Sequence, residues 1–135
     1  MALDPRTNSN MDPLQIPDYI CKHIINMDKT IRFVGIIDFF GHIVAAEYRE
    51  GLVPLLSQQE TRQSFIQSIM RMNTRKSLEA KLGRTLYAFA SYEKVKRAAI
   101  PLSSDYVLIV AFDVEADHDL LIREKILPLA AKHPY

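Results

Sequence analysis

Four residues near the middle of the chain, Ser57-Gln58-Gln59-Glu60, constrain the fold more than any others. They form a capping box: the serine oxygen accepts a free backbone N–H of a first helical turn, and the glutamate reaches back to the serine N–H. Phe65, Ile66, Ile69, Met70 and Met72 follow, and at 100° per residue they share one arc of about 160°. Leu78 and Leu82 fall on the opposite side of the same projection. A straight helix running to Leu82 would be roughly 37 Å long, about the width of a domain this size. The pattern therefore predicts a break or phase change near Asn73-Thr74 and a short second helix ending at Gly83, a residue suited to left-handed helix exit.

The flanks of this helix set the order of the remaining elements. Ahead of it, Ile31 to Phe40 and His42 to Tyr48 are apolar runs around Gly41, the pattern of a β-hairpin. Both runs are apolar on both faces near the turn, so cover on both sides is expected there. Gly51 to Leu56 reads as a loop. An opening helix is expected with Asp12 as cap and Pro13 in the first turn, becoming regular by Pro17. Its buried stripe would be Tyr19, Ile20, His23, Ile24 and Met27.

Beyond Gly83, Arg84 to Tyr92 alternates as a strand, and Glu93-Lys94 suits a turn. Val95 to Leu102 forms another strand, and Tyr106 to Val114, the most apolar, is expected at the centre. Asp117 caps a last helix with Leu120, Leu121, Ile122 and Ile126 on its buried side, bent or ended by Pro128. The order α-β-β-α-β-β-β-α, with strands joined by hairpins, predicts an α+β fold: a five-stranded antiparallel sheet flanked by helices.

Composition fits one domain over residues 11–135. The chain has 135 residues, 48% of them hydrophobic and 24% charged, as in ordinary globular proteins. Residues 1–10, polar and aperiodic, read as a disordered leader or a cloning remnant. The longest purely apolar run, Tyr106 to Phe112, is far short of the ~20 residues of a membrane span. The N-terminus lacks a signal-peptide pattern. A cytoplasmic protein is expected, and the single cysteine excludes an internal disulfide.

Catalytic and metal patterns are sparse. The four glycines stand apart, so no phosphate-cradling loop can be built. Cys21 and His23 lie two apart on a helix and point to different sides. His42, His118 and His133 have no local metal partner. Asp113, Glu115, Asp117, Asp119 and Glu124 match the spacing of a calcium loop, but His118 stands where glycine must make the turn. Acids gathered at a helix N-terminus explain the run more simply. No enzymatic activity, cofactor or metal is expected.

The net charge of +1 hides a division. Residues 62 to 97 hold nine Lys and Arg against Glu79 and Glu93, a local +7. Residues 103 to 127 hold six acids against Arg123 and Lys125, a local −4. Arg71, Arg75, Lys76, Lys94, Lys96 and Arg97 are therefore candidate anion-binding residues. The alternative is a solvated face balanced by the acidic segment.

The segment Val34-Gly35-Ile36-Ile37-Asp38, then Gly41 and Ile43-Val44-Ala45, is similar to the first hairpin of roadblock/dynein-light-chain domains, relatives of the profilin and longin folds. The element order over residues 12 to 131 resembles that family too, as does the general character of small archaeal signalling-type proteins. The break after the middle helix and the basic segment behind it depart from the family pattern. The resemblance implies a roadblock-like α/β sandwich that is a non-catalytic, dimeric regulator in cytoplasmic signalling, acting with a protein partner such as a small GTPase. It implies a dimer interface at Phe65, Ile66, Ile69 and Met70 on the helix and at Leu86, Tyr87, Ala88 and Phe89 on the following strand. The same helix residues could instead pack only on their own sheet. Two other readings stay open: a small-ligand sensor with a pocket near Tyr19, Phe33 and Tyr106, and an anion or nucleic-acid binder using the basic residues.

Overall fold

A computed structural model describes residue 12 and residues 14–133. The leader at 1–10 and the helix start placed at Pro13 lie outside the described residues. The elements are α1 (Ile16–Ile25), β1 (Ile31–Asp38), β2 (Ile43–Tyr48), α2 (Gln58–Lys76), α3 (Glu79–Leu82), β3 (Ala88–Ser91), β4 (Lys96–Pro101) and β5 (Tyr106–Phe112). The last helix has three parts: α4 (His118–Leu120), a π-helical segment (Leu121–Ile126) and α5 (Leu127–Lys132). All five strands pair antiparallel in the order β2-β1-β5-β4-β3. The expected α+β sandwich is the observed one, with β5 at its centre.

Strand alternation divides the core between the two faces of this sheet. One face carries Val34, Ile36, Ala98, Ile100, Leu108, Val110 and Phe112, which pack against Ile20, Cys21 and Ile24 of α1 and Leu121, Ile122, Ile126 and Leu129 of the last helix. The other carries Phe33, Ile37, Val107 and Ile109 against Phe65, Ile69 and Met72 of α2. Two helical units thus cover one face, while α2 alone crosses the other.

The ends of the elements follow local chemistry. Ser57 Oγ accepts from Glu60 N at 3.1 Å, and Glu60 Oε1 accepts from Ser57 N at 2.9 Å, completing the capping box. In the β1–β2 turn, Asp38 Oδ1 accepts from the backbone N–H groups of Phe40 and His42, both at 2.9 Å. Gly41 closes that turn at φ +84°, a conformation that L side chains avoid. Asp117 accepts from Leu120 N at 3.3 Å and caps the last helix.

Several expectations change. Helix α1 begins at Ile16, with Gln15 before it and Pro17 in its first turn; Asp12 instead accepts from Leu14 N in the turn ahead. The stripe of α1 is Pro17, Ile20, Cys21 and Ile24, with His23 exposed. Helix α2 passes Asn73-Thr74 unbroken: neither residue stops a helix, and the Thr74 hydroxyl donates to the Met70 carbonyl one turn back instead of competing with the helix from outside it. The chain turns at Ser77-Leu78, and α3 ends at Gly83, φ +89°. Ile43 and Val44 are exposed, because they open the edge strand β2 beside the turn, and its cover begins only at Ala45 and Ala46. Leu120 is exposed rather than buried. Pro128 does not end the last helix. Leu127 N–H bonds five residues back, to Ile122 O, and this widened turn lies just ahead of a ring that would otherwise meet the Glu124 carbonyl.

Candidate interaction surface

Strand β3 spans only Ala88–Ser91, and its outer edge carries no partner strand among the described residues. It pairs with β4 in the register Ala88↔Ala99, Phe89↔Ala98, Ala90↔Arg97 and Ser91↔Lys96. Ala99 packs in the α2-side core, so Ala88, Ala90 and Arg97 share that face and Phe89 and Lys96 point to the other. The ladder stops at Ala88, so Leu86 and Tyr87 precede the strand rather than sitting in it. Glu79 Oε2 accepts from Thr85 N at 3.0 Å and ties this approach segment to α3.

The eight residues expected at a dimer interface separate by burial. Phe65 and Ile69 are 1% and 4% exposed and serve the protein's own core. Ile66, Met70 and Leu86 are exposed at 45%, 63% and 59%. Ile66 also leans over the β1–β2 turn: a Cβ added at Gly41 would come 2.9 Å from its Cγ1. Tyr87 and Phe89 pack against the α1-side core, and the Phe89 ring stacks on His118 at 3.9 Å between centroids. The surface left for a partner is the β3 edge, its alanine floor and the outer side of α2 at Ile66 and Met70.

Between α2 and β3–β4 lies a cleft of about 230 Å³, lined by Ser68, Arg71 and Arg75 of α2 and by Ala88, Ala90, Tyr92, Arg97 and Ala99 on the sheet side. The helix places Arg71 and Arg75 one turn apart on the same side. Small side chains on the strands leave the hollow beneath them. Arg97 Nη2 donates to Ser64 Oγ at 3.2 Å. Burial pushes the Arg97 guanidinium below its ordinary range; Tyr92 opposes that shift and Arg71 adds to it.

The other expected anion-binding residues are engaged elsewhere or stand apart. Lys76 lies 4.0 Å from the centre of the Phe39 ring and donates to Ser104 O. Lys96 donates to Ala116 O at 2.9 Å on the opposite sheet face. Lys94 sits exposed in the β3–β4 turn and does not line the cleft.

The acidic run is dispersed among structural tasks. Asp113 accepts from Arg49 Nη1 at 2.7 Å and from Arg32 Nη1 at 3.1 Å, joining β5 to β1 and to the chain just beyond β2. The Arg49 guanidinium, with Arg32 beside it, holds the Asp113 carboxyl below the usual carboxylate range despite partial burial. Asp119 pairs with Arg123 at 2.8 Å. Among the described residues, no group of three His, Cys, Asp or Glu could hold a metal. Cys21 is buried in the core, and burial pushes its thiol up to about 12. Tyr19 and Phe33 belong to opposite faces of the sheet, so the pocket expected near Tyr19, Phe33 and Tyr106 cannot form. No helix among the described residues is long and apolar enough to cross a membrane.

No family model matches the chain, and no curated protein matches it. Solved structures do match. The chain is similar to the gliding protein MglB from Thermus thermophilus, with a TM-score of 0.70 at 13% identity over 98% of each chain. It is similar to MglB from Myxococcus xanthus, with a TM-score of 0.69 at 15% identity over 90% of this chain and 86% of that one. It also matches a roadblock/LC7 domain from Streptomyces avermitilis, with a TM-score of 0.66 at 12% identity over 84% and 91%. At these identities the likeness speaks for the fold, and the fold of this chain is the roadblock/LC7 fold.

Proposed function

We propose that the chain is a non-catalytic interaction module that works as a homodimer, regulating a protein partner of the small-GTPase class in the cytoplasm. The observation that carries this reading is the open β3 edge beside an alanine floor and the exposed outer side of α2. An unpaired edge is a template for another strand. A second copy placed edge to edge would extend the sheet to ten strands and bring the two α2 helices together. Met70 would then be covered, and Leu86 would lie at the margin. The GTPase limb and the absence of catalysis rest on the roadblock resemblance, and the likeness to the MglB and roadblock/LC7 structures supports the fold on which that resemblance stands.

Light scattering at micromolar concentration tests the dimer. The expected mass is twice the 15.5 kDa of one chain, falling to one chain when the exposed Met70 is replaced in Met70→Glu. A monomeric wild type overturns the proposal. Co-purification with small GTPases of the source cell, loaded with GDP or GTP, tests the partner class; retention in neither state removes it.

A further inference from the structure

Several cations are held by the protein's own acceptors. Arg32 and Arg49 share Asp113, and Arg123 holds Asp119. Lys76 and Lys96 donate to backbone carbonyls. Arg71, Arg75 and Arg97 differ: they line one cleft, and none makes an ion pair with a carboxylate among the described residues. No acidic residue lines that cleft. Three like charges facing one hollow repel each other, and the partial burial of Arg97 weakens screening by water. Ser64 takes one donor of the Arg97 guanidinium, which leaves four N–H groups in a planar fork.

We propose that the cleft between α2 and the β3–β4 strands binds a phosphoryl anion through Arg71, Arg75 and Arg97. Three guanidinium groups call for more than one compensating negative charge. A phosphate dianion supplies it with several acceptor oxygens, whereas a single carboxylate would leave a net charge of two. The volume, about 230 Å³, is below the roughly 300–1,000 Å³ of sites for drug-sized ligands and suits one compact anionic group. Ala88, Ala90 and Ala99 on the floor let that group approach the sheet without a side chain in the way. The group could arrive on a small phosphate compound or on a phosphorylated protein side chain, and the chemistry is the same.

Isothermal titration with inorganic pyrophosphate, in a weakly ionic buffer free of other oxyanions, tests the site. One ion per chain is expected, with at least tenfold weaker binding in the double variant Arg71→Gln/Arg75→Gln, both on the cleft side of α2 and outside the buried core. Arg97→Lys keeps the charge and removes the fork, and it should also weaken binding. Lys94→Gln removes one positive charge away from the cleft and should leave the affinity within twofold. Circular dichroism establishes that each variant is folded. A phosphoserine peptide bound more tightly than pyrophosphate assigns the group to a protein; the reverse assigns it to a free phosphate compound. Absence of heat with both probes, equal loss in Lys94→Gln, or equally tight binding of a hexaglutamate peptide overturns the proposal.

Discussion

Gly35→Ala in the middle of β1 should destabilise the protein, although the same exchange in an ordinary strand stabilises by roughly 0.5–1 kcal/mol through backbone entropy. The reason is the Phe33 ring, which lies across Gly35 on the α2 side of the sheet. A Cβ at position 35 would meet Phe33 Cζ at 2.6 Å and Cε2 at 2.9 Å. Carbon atoms rest at roughly 3.5–4.0 Å, so the ring must retreat by about 1 Å. Its room is restricted. Tyr48 lies 4.8 Å away and Phe65 of α2 stacks at 5.9 Å, centroid to centroid. Overpacking of this kind costs about 1–3 kcal/mol, and after the entropic gain a net loss of about 1 kcal/mol remains. With no tryptophan in the chain, urea unfolding at fixed protein concentration is followed by far-ultraviolet circular dichroism. At an m-value of roughly 2 kcal/mol/M, the midpoint should fall by about 0.5 M. In a Phe33→Leu background the obstructing ring atoms are gone, and Gly35→Ala should then be neutral or stabilising. A midpoint that stays or rises in the wild-type background, or an equal loss in both backgrounds, refutes the argument.

Two further outcomes follow from buried chemistry. Asp113→Asn should cost roughly 1–2 kcal/mol at neutral pH, between the values for exposed and buried pairs. Because Asp113 titrates lower in the folded protein than unfolded, its contribution is present above the unfolded carboxylate range, near pH 4, and is lost as pH falls through the folded value. The gap between variant and wild type should therefore begin to narrow as pH falls below about 4 and close once pH passes the folded value; a gap that does not narrow on acidification counts against the ion pair. Cys21, buried with its thiol raised to about 12, should react with a disulfide reagent at pH 8 only as fast as the protein opens. Immediate stoichiometric labelling of native protein would contradict that burial.

Much of the fold was legible because its signals are local. The capping box, the Gly83 exit, the hairpin around Gly41 and the Asp117 cap each need only a few neighbouring residues. The start of β3 was not, although Arg84 to Tyr92 alternates. A strand also needs a partner: continuing the β3–β4 register backwards sets Leu86 opposite Pro101, which has no N–H to give. The α2 arc was visible, but its division was not. Only the position of the sheet decides that Phe65 and Ile69 turn inward while Ile66 and Met70 face out.

The basic segment follows the same logic. Arg71 and Arg75 are four apart on a helix and share a side, while Lys76 stands 100° further round. Lys96 and Arg97 are adjacent on a strand and face opposite ways. Those periods sort the six cations into sets, but the meeting of Arg97 with the α2 pair is a tertiary fact.

The π-helical segment before Pro128 makes the last helix behave as though it carried one inserted residue. Removing one residue between Leu121 and Ile126 would let a regular α-helix form there with everything downstream in nearly its present phase, because the widened turn already absorbs the extra residue. Leu129 and His133, both buried, would keep facing the core, and the cost would fall on Pro128, whose ring would be driven against the carbonyl four residues before it. The extra residue is thus what lets a proline sit inside the last helix while the C-terminal turn keeps its seat on the sheet.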